Sequence, residues 1–250
     1  MKFTVLTLFP DFVNSFFMNG MISRAVKKKI ISCISINIRD FAFNHHKTVD
    51  DKPYGGGCGM VIKPEPLYAA VKYARKDRPD SRVILMTPQG RPFDQKKAWD
   101  FAKKKKSLVF ICGRYEGIDE RINYSLVDEE ISIGDYVMTG GELAAMVIID
   151  SVTRLLPDVL GGKESVDIDS FQNGRLEYAH YTRPSRFKDM DIPDVLLSGN
   201  HKKIEKWRIT SSLKRTFLKR PDLFTQKKLK EHEKQILKKW CRELEELIKK

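Results

Sequence analysis

Between residues 1 and 156, short apolar runs alternate with Gly-rich turns and amphipathic stretches, a pattern that predicts a sheet covered by helices on both faces. Phe3 to Leu8 reads as a buried strand, and Asp11, following Pro10, is placed to cap a helix carrying Phe12, Phe16 and Phe17. Ile34, Ile36 and Ile38 alternate with Ser35, Asn37 and Arg39, which predicts a strand with one buried and one polar face. Arg82 to Met86 and Leu108 to Ile111 are apolar runs closed by Gly or Pro signals; each reads as a central strand ending in a polar loop. From Gly141 to Leu155, the positions Leu143, Met146, Val147, Asp150 and Arg154 recur at helical spacing behind two glycines and ahead of Pro157, predicting a mostly buried helix.

The pattern changes after residue 160. Residues 161–173 are rich in Gly, Ser, Asp and Asn and read as a flexible linker, so residues 1–160 form an α/β domain and residues 174–250 a small helical one. In the last segment Leu229, Ile236, Trp240, Leu244 and Leu247 recur at helical intervals, predicting one apolar stripe flanked by lysines. There is no internal repeat.

Charge sharpens this division. Of the net +13, residues 201–250 carry 17 Lys and Arg against 7 Asp and Glu, a surplus of +10, which makes the tail the place to hold a polyanion. A solvated helical surface has the same composition, so charge alone does not identify nucleic acid. Cys33, Cys58, Cys112 and Cys241 are scattered with no Cys-x-x-Cys pair; neither a zinc site nor a disulfide framework is signalled, and a reducing cytoplasm fits. The opening apolar run imitates a short signal core, but Pro10 and Asp11 end it and no small-residue cleavage pattern follows. The longest apolar run, Leu143 to Ile149, is far short of the roughly 20 residues that span a bilayer, so no membrane partner is expected.

Four loops carry the candidate chemistry. Asp50 to Met60 holds four glycines in five residues, Gly55, Gly56, Gly57 and Gly59, a loop able to lie close against a ligand or a partner chain, and equally well a mobile turn. Its spacing matches neither Gly-x-Gly-x-x-Gly nor a phosphate loop. Thr87-Pro88-Gln89-Gly90 and Gly113-Arg114-Tyr115-Glu116-Gly117 follow successive strands, and in open α/β sheets ligands bind beyond the carboxyl ends of strands. The fourth loop, Ile133 to Glu142, offers backbone groups at Gly134, Gly140 and Gly141 for an adenine edge, with Tyr136 and Met138 as apolar walls. His45 and His46 lack further ligands and, as adjacent strand residues, would point apart; surface or RNA contact suits them better than a metal.

With these motifs the chain closely resembles the bacterial tRNA (guanine-N1)-methyltransferase family, TrmD, of the SPOUT superfamily. The resemblance runs from Leu8-Phe9-Pro10 through Val49-Asp50-Asp51, the glycine loop, Gly113 to Arg121, Ile133 to Glu142 and Asp150-Ser151-Val152. It continues through Asp169-Ser170-Phe171, His180-Tyr181-Thr182-Arg183-Pro184 and Leu197-Ser198-Gly199-Asn200-His201 into the basic tail. Cys58 and Ala144 stand where many relatives have proline, Thr87 where many have serine, and Glu177 where some have aspartate.

The resemblance implies a deep trefoil-knot α/β domain with a small basic α-helical C-terminal domain, a fold that general topology rules disfavour. It implies S-adenosyl-L-methionine (SAM) as cofactor, held by Thr87, Pro88, Gln89, Gly113, Tyr115, Glu116, Ser132, Ile133, Gly134, Tyr136, Met138, Gly140 and Gly141. It further implies transfer RNA as substrate, contacted by Gly59, His180, Tyr181, Arg183, Ser198 and Asn200, with 1-methylguanosine formed immediately 3′ of the anticodon, at position 37. A homodimer with shared sites follows, one chain's SAM loops meeting the other's Arg154 and Asp169. Asp169 is the expected general base, Arg154 the expected stabiliser of charge on O6, and Glu116 a candidate ligand for Mg2+, although no metal-ligand spacing is present. Without the resemblance, Asp169 reads as a linker carboxylate and Arg154 as a cation favourably near a helix C-terminus. A catalytically silent RNA-binding protein would also explain the tail, and a related knotted enzyme acting on ribose or ribosomal RNA would share the loops.

Overall fold

A computed structural model describes residues 1–160, 168–226 and 228–249. It divides into two compact units, Met1–Gly161 and Gly162–Lys250.

The first unit is organised by a five-stranded sheet of β1 (Lys2–Thr7), β2 (Ser32–Asn37), β5 (Arg82–Pro92), β6 (Leu108–Cys112) and β7 (Glu129–Ser132), in the order β2-β1-β6-β5-β7. Every pairing is parallel. The central strands are uninterrupted apolar runs because both faces are covered; all five residues of β6 are buried. Helices α1 (Pro10–Phe17), α2 (Gly20–Lys27), α3 (Pro64–Arg75), α4 (Gln95–Lys104), α5 (Glu120–Leu126) and α6 (Glu142–Thr153) connect and cover the strands. Two short strands, β3 (Asp50–Asp51) and β4 (Val61–Ile62), pair antiparallel and bracket the glycine loop.

Several expected elements shift. Phe9 is the N-cap of α1, Pro10 opens it and Asp11 sits in its first turn without a capping bond, because a proline with preset φ starts a helix without an N–H to satisfy. Ile34 is exposed although Ile38 is fully buried, since β2 is an edge strand and Ile38 lies in the 3-10 turn Ile38–Phe41 beyond it. Helix α6 is mostly buried as expected, but Leu143, Val147 and Asp150 are exposed and Ser151 half-buried, so of the five positions at helical spacing only Met146 is buried. His45 and His46 occupy a turn, not a strand, with ring centroids 5.6 Å apart edge to face.

Strand β5 continues past the polar loop that interrupts its apolar pattern. Met86 and Arg91 both stand opposite Ile131 of β7, so the four residues Thr87–Gly90 leave the ladder and the chain then rejoins it. Gly90 makes this possible: a Cβ there would lie 2.4 Å from Ile131 N and 2.5 Å from the Glu130 carbonyl carbon.

The second unit contains the hairpin β8 (Arg186–Phe187) and β9 (Met190–Asp191), and helices α7 (His201–Lys219), α8 (Leu223–Gln226) and α9 (Glu231–Ile248). Its interior is small. Leu213 and Leu223 are buried with Thr216 and Glu233. The polar groups are paired: Arg175 bonds Glu233, and Leu176 N–H donates to Thr216 Oγ1 at 3.0 Å. On α9, Trp240 meets Phe217 edge-on at 5.5 Å, but Leu244 and Leu247 are exposed, so the predicted stripe is covered only along its first half. Of the predicted linker, residues 161–167 lie outside the described residues; residues 168–173 turn, with Gln172 N–H donating to Asp169 O at 3.3 Å.

Candidate functional site

A cavity of about 340 Å³ opens at the carboxyl ends of β5, β6 and β7. That volume falls within the range of small-molecule sites, roughly 300–1,000 Å³. Three of the four loops singled out in the sequence converge here. All the residues expected to hold SAM, from Thr87, Pro88 and Gln89 through Gly113, Tyr115 and Glu116 to Ser132, Ile133, Gly134, Tyr136, Met138, Gly140 and Gly141, line this one cavity.

The loops are held by backbone bonds that need glycine. Gly141 N–H donates to Gly113 O at 3.1 Å, and Arg114 and Gly140 form an isolated antiparallel bridge. At Gly141 a Cβ would come within 2.9 Å of Cys112 Cα and of Met86 Cβ, both on central strands. Ser132 Oγ accepts from Gly134 N–H at 3.2 Å, pinning the turn that follows β7. Tyr115 stands in the left-handed region at φ 60°, which costs a non-glycine residue about 1 kcal/mol or more and is tolerated where a loop is over-determined.

The fourth loop joins the site through its downstream arm. Glu116 N–H donates to Met60 O and Ile62 N–H to Gly117 O, each at 3.0 Å. Gly59, at φ +82°, lies so close that a Cβ would sit 2.5 Å from Glu116 Oε1. The glycine therefore leaves room for that carboxylate. Asp119 caps α5 beside the cavity and is bonded twice by Arg121, at 2.8 and 2.7 Å; the Arg121 guanidinium holds its carboxyl below the usual range.

Beneath the cavity lies a buried polar cluster that the sequence reading passed over. Glu142, 1% exposed at the first turn of α6, accepts from Thr7 Oγ1 at 2.7 Å. Arg114 approaches it with Nη2 3.1 Å from Oε2, and the same guanidinium donates to Thr139 O at 3.2 Å and lies 4.4 Å from the Phe9 ring centroid. Gly140 gives the pair its space, since a Cβ there would fall 2.2 Å from Arg114 Nε and 2.6 Å from Glu142 Oε2. The signal was present in the sequence: Glu142 is the single charged residue at the head of an otherwise apolar run.

The remaining expected residues fall in several places. Arg154 is the half-buried C-cap of α6, its N–H donating to Asp150 O at 3.1 Å. Asp169 is half-buried in the second unit, next to Ser170, whose hydroxyl accepts from Glu177 N–H at 3.1 Å. His180 lies 4.6 Å from Tyr178 ring to ring and 3.6 Å from Glu177 Oε2, and Tyr181 lies 6.2 Å from Trp207. Trp207 and Arg208, whose guanidinium is 5.0 Å from the Tyr178 ring, complete an aromatic and cationic cluster not foreseen from the sequence. Arg183 is exposed beside it in sequence, before a cis Pro184. Ser198 and Asn200 have local work as well: Ser198 Oγ accepts from Asn200 N–H at 3.2 Å, and Asn200 caps α7 through Lys203 N–H at 3.1 Å.

Among the described residues, no group of three or more His, Cys, Asp or Glu side chains converges to hold a metal ion, so Glu116 alone does not make a protein site for Mg2+. No described helix is long and apolar enough to cross a membrane.

Comparison with known proteins agrees with the motifs. The model of the family described as tRNA (Guanine-1)-methyltransferase TrmD matches residues 1–226. The chain is 54% identical over 243 residues to a tRNA (guanine-N(1)-)-methyltransferase of Anoxybacillus flavithermus, covering 96% of this chain and 98% of that one. It is 52% identical to the protein of the same name from Geobacillus kaustophilus, covering 98% and 100%, and 53% identical to that from Desulfitobacterium hafniense, covering 99% and 93%. A match of this extent through every loop of the cavity makes the chain a member of the tRNA (guanine-1)-methyltransferase, or TrmD, family.

Proposed function

We propose that this chain transfers the methyl group of SAM to N1 of guanine 37, immediately 3′ of the anticodon of transfer RNA, giving 1-methylguanosine and S-adenosylhomocysteine. The observation that carries this reading is a family match running through residues 1–226, and so through both units. The cavity suits the cofactor: glycine backbone at 134, 140 and 141 offers polar groups to an adenine edge, and Tyr115 and Tyr136 offer apolar faces. In this reading, which rests on the family match, the three loops form a deep trefoil knot.

When bound, SAM supplies a methyl carbon on a positively charged sulfur. N1 of neutral guanine carries a proton and is a poor nucleophile, so Asp169 takes that proton, a step that typically contributes about 10²–10⁴-fold. With SAM bound, the pair freed on N1 would take the methyl carbon as the carbon–sulfur pair stayed on sulfur, and the chain's part is to hold donor and acceptor in line. Negative charge reaching O6 is held by Arg154, which favours the transition state over the ground state.

The second unit holds the RNA. Its basic surface draws phosphate, and the ring cluster of His180, Tyr181 and Trp207 is suited to stacking an unstacked base, with Arg183, Ser198, Asn200 and, from the first unit, Gly59 as further contacts. Two chains share each site, one supplying the SAM loops and the other Arg154 and Asp169. Leu143 and Val147, 51% and 45% exposed on the mostly buried α6, support an association surface there. Such an enzyme works with transfer RNA in the cytoplasm.

The test is to incubate the protein with methyl-labelled SAM and unmodified transfer RNA, then locate the label by nucleoside mass spectrometry. Label in 1-methylguanosine at position 37 is expected; label on a ribose, or none, overturns the reading.

A further inference from the structure

The Arg114–Glu142 pair poses an electrostatic problem for any cationic ligand of the cavity. Arg114 lines the cavity, and its side chain is held there on three sides, by the Phe9 ring, Thr139 O and Glu142. A fixed guanidinium on the wall repels a sulfonium, the more strongly where protein rather than water lies between the two charges. Glu142 answers that charge from below. It is 1% exposed, at the amino end of a helix whose dipole favours an anion, and Thr7 Oγ1 donates to its Oε1 at 2.7 Å. Its Oε2 receives no aligned hydrogen bond and faces Arg114 at 3.1 Å as an ion pair only. With this pair neutral, the charges left on the cavity wall are the carboxylates Glu116, Glu120 and Glu130. The wall then favours a cation.

We infer that Glu142, acting through Arg114, is a specificity-determining residue that lets this cavity distinguish the charged sulfonium of SAM from the neutral thioether of S-adenosylhomocysteine. The two ligands differ at sulfur by one methyl group and one unit of charge, so their affinity ratio reads the field there. A pair that served only to tie the loop after β6 to the start of α6 would weaken both ligands alike. Glu142 touches neither ligand in this reading and is a positioning residue for the Arg114 charge. The inference rests on the SAM reading above.

The experiment measures dissociation constants of SAM and S-adenosylhomocysteine by calorimetry on the full chain, with melting temperature recorded for each variant. Glu142→Gln keeps the shape and leaves Arg114 uncompensated; SAM should weaken about tenfold more than S-adenosylhomocysteine, the scale of one unit charge acting across several ångströms of protein. Arg114→Gln leaves the anion and should move the ratio in the opposite direction. The double variant should return the ratio close to wild type even if both affinities are lower. A second variant protects the test against misfolding: if Glu142→Gln does not fold, Arg114→Gln alone must still shift the ratio toward SAM. An unchanged ratio, or a shift of the same sign in both single variants, overturns the inference while leaving SAM binding intact. A wild-type chain that binds neither ligand overturns the proposed function and this inference together.

Discussion

Gly113 and Gly141 look alike in the sequence, both in loops lining the cavity, but the structure predicts very different responses to a single methyl group. Gly141 is the N-cap of α6 with ordinary right-handed torsions, φ −81° and ψ −6°, so alanine meets no backbone strain there and the whole cost is steric. Its Cβ would lie 2.9 Å from Cys112 Cα and 2.9 Å from Met86 Cβ, on β6 and β5. Carbon atoms rest at about 3.5–4.0 Å, so the loop must lift by roughly 0.6–1 Å off strands that are themselves fully paired. Overpacking of this kind costs about 1–3 kcal/mol, which corresponds to roughly 2–12 °C in a chain of this size. If the loop relieves the strain by lifting, closing it again on SAM restores the strain, and the same energy appears as about 5- to 150-fold weaker binding. At Gly113, by contrast, the nearest atom to a Cβ is Ile118 Cγ2 at 3.7 Å, an ordinary contact. Thermal melts with and without SAM, together with calorimetry, decide the matter. Gly141→Ala should lose stability, affinity or both, and Gly113→Ala should change either by less than about twofold or 1 °C. A Gly141→Ala chain indistinguishable from wild type, or equal damage at both glycines, would refute the steric argument.

Other consequences follow from the same contacts. Asp169→Ala should fold and bind SAM yet lose turnover by about 10²-fold or more; if sites are shared, mixing it with Gly141→Ala chains should give more activity than the two variants contribute separately, and heterodimers without that gain would place both functions in one chain. Asp119→Ala removes the α5 cap and should cost about 1 kcal/mol at pH 7. Because the folded carboxyl titrates below its unfolded value, this contribution is present above about pH 4 and is lost as pH falls through the folded pKa, so variant and wild type should converge in urea melts toward pH 3. Trp207→Ala should weaken transfer RNA binding by about 1–3 kcal/mol without touching SAM affinity, through loss of the ring contacts with Tyr178 and Tyr181. Full-chain affinity for transfer RNA should fall steeply with salt; a flat salt dependence would contradict the role given to the +10 charge of residues 201–250.

The central strands and their helical cover were legible because those strands are buried on both faces and so are written as unbroken apolar runs, as in Leu108 to Ile111. The loops were legible because close backbone approach demands glycine, and glycine is visible in a sequence. What β5 does after Met86 was not, since rejoining the ladder at Arg91 depends on pairing with β7, some 40 residues away, and local pattern carries no trace of that partner. Residues whose partners are distant in sequence were missed for the same reason. Thr7, Arg114 and Glu142 meet across separations of 135 and 28 residues; Thr7 and Arg114 taken alone read as ordinary polar residues, and the isolated charge of Glu142 before its apolar run does not say what it meets. A buried ion pair is a poor way to stabilise a fold, because desolvation offsets most of its attraction and a hydrophobic substitute of similar volume often serves as well. Glu142 could have been one more apolar residue at the head of an apolar helix. Its presence there, with one oxygen lacking an aligned hydrogen bond and its partner arginine standing on a cavity wall, is better accounted for by what the cavity must bind than by what the core must bury.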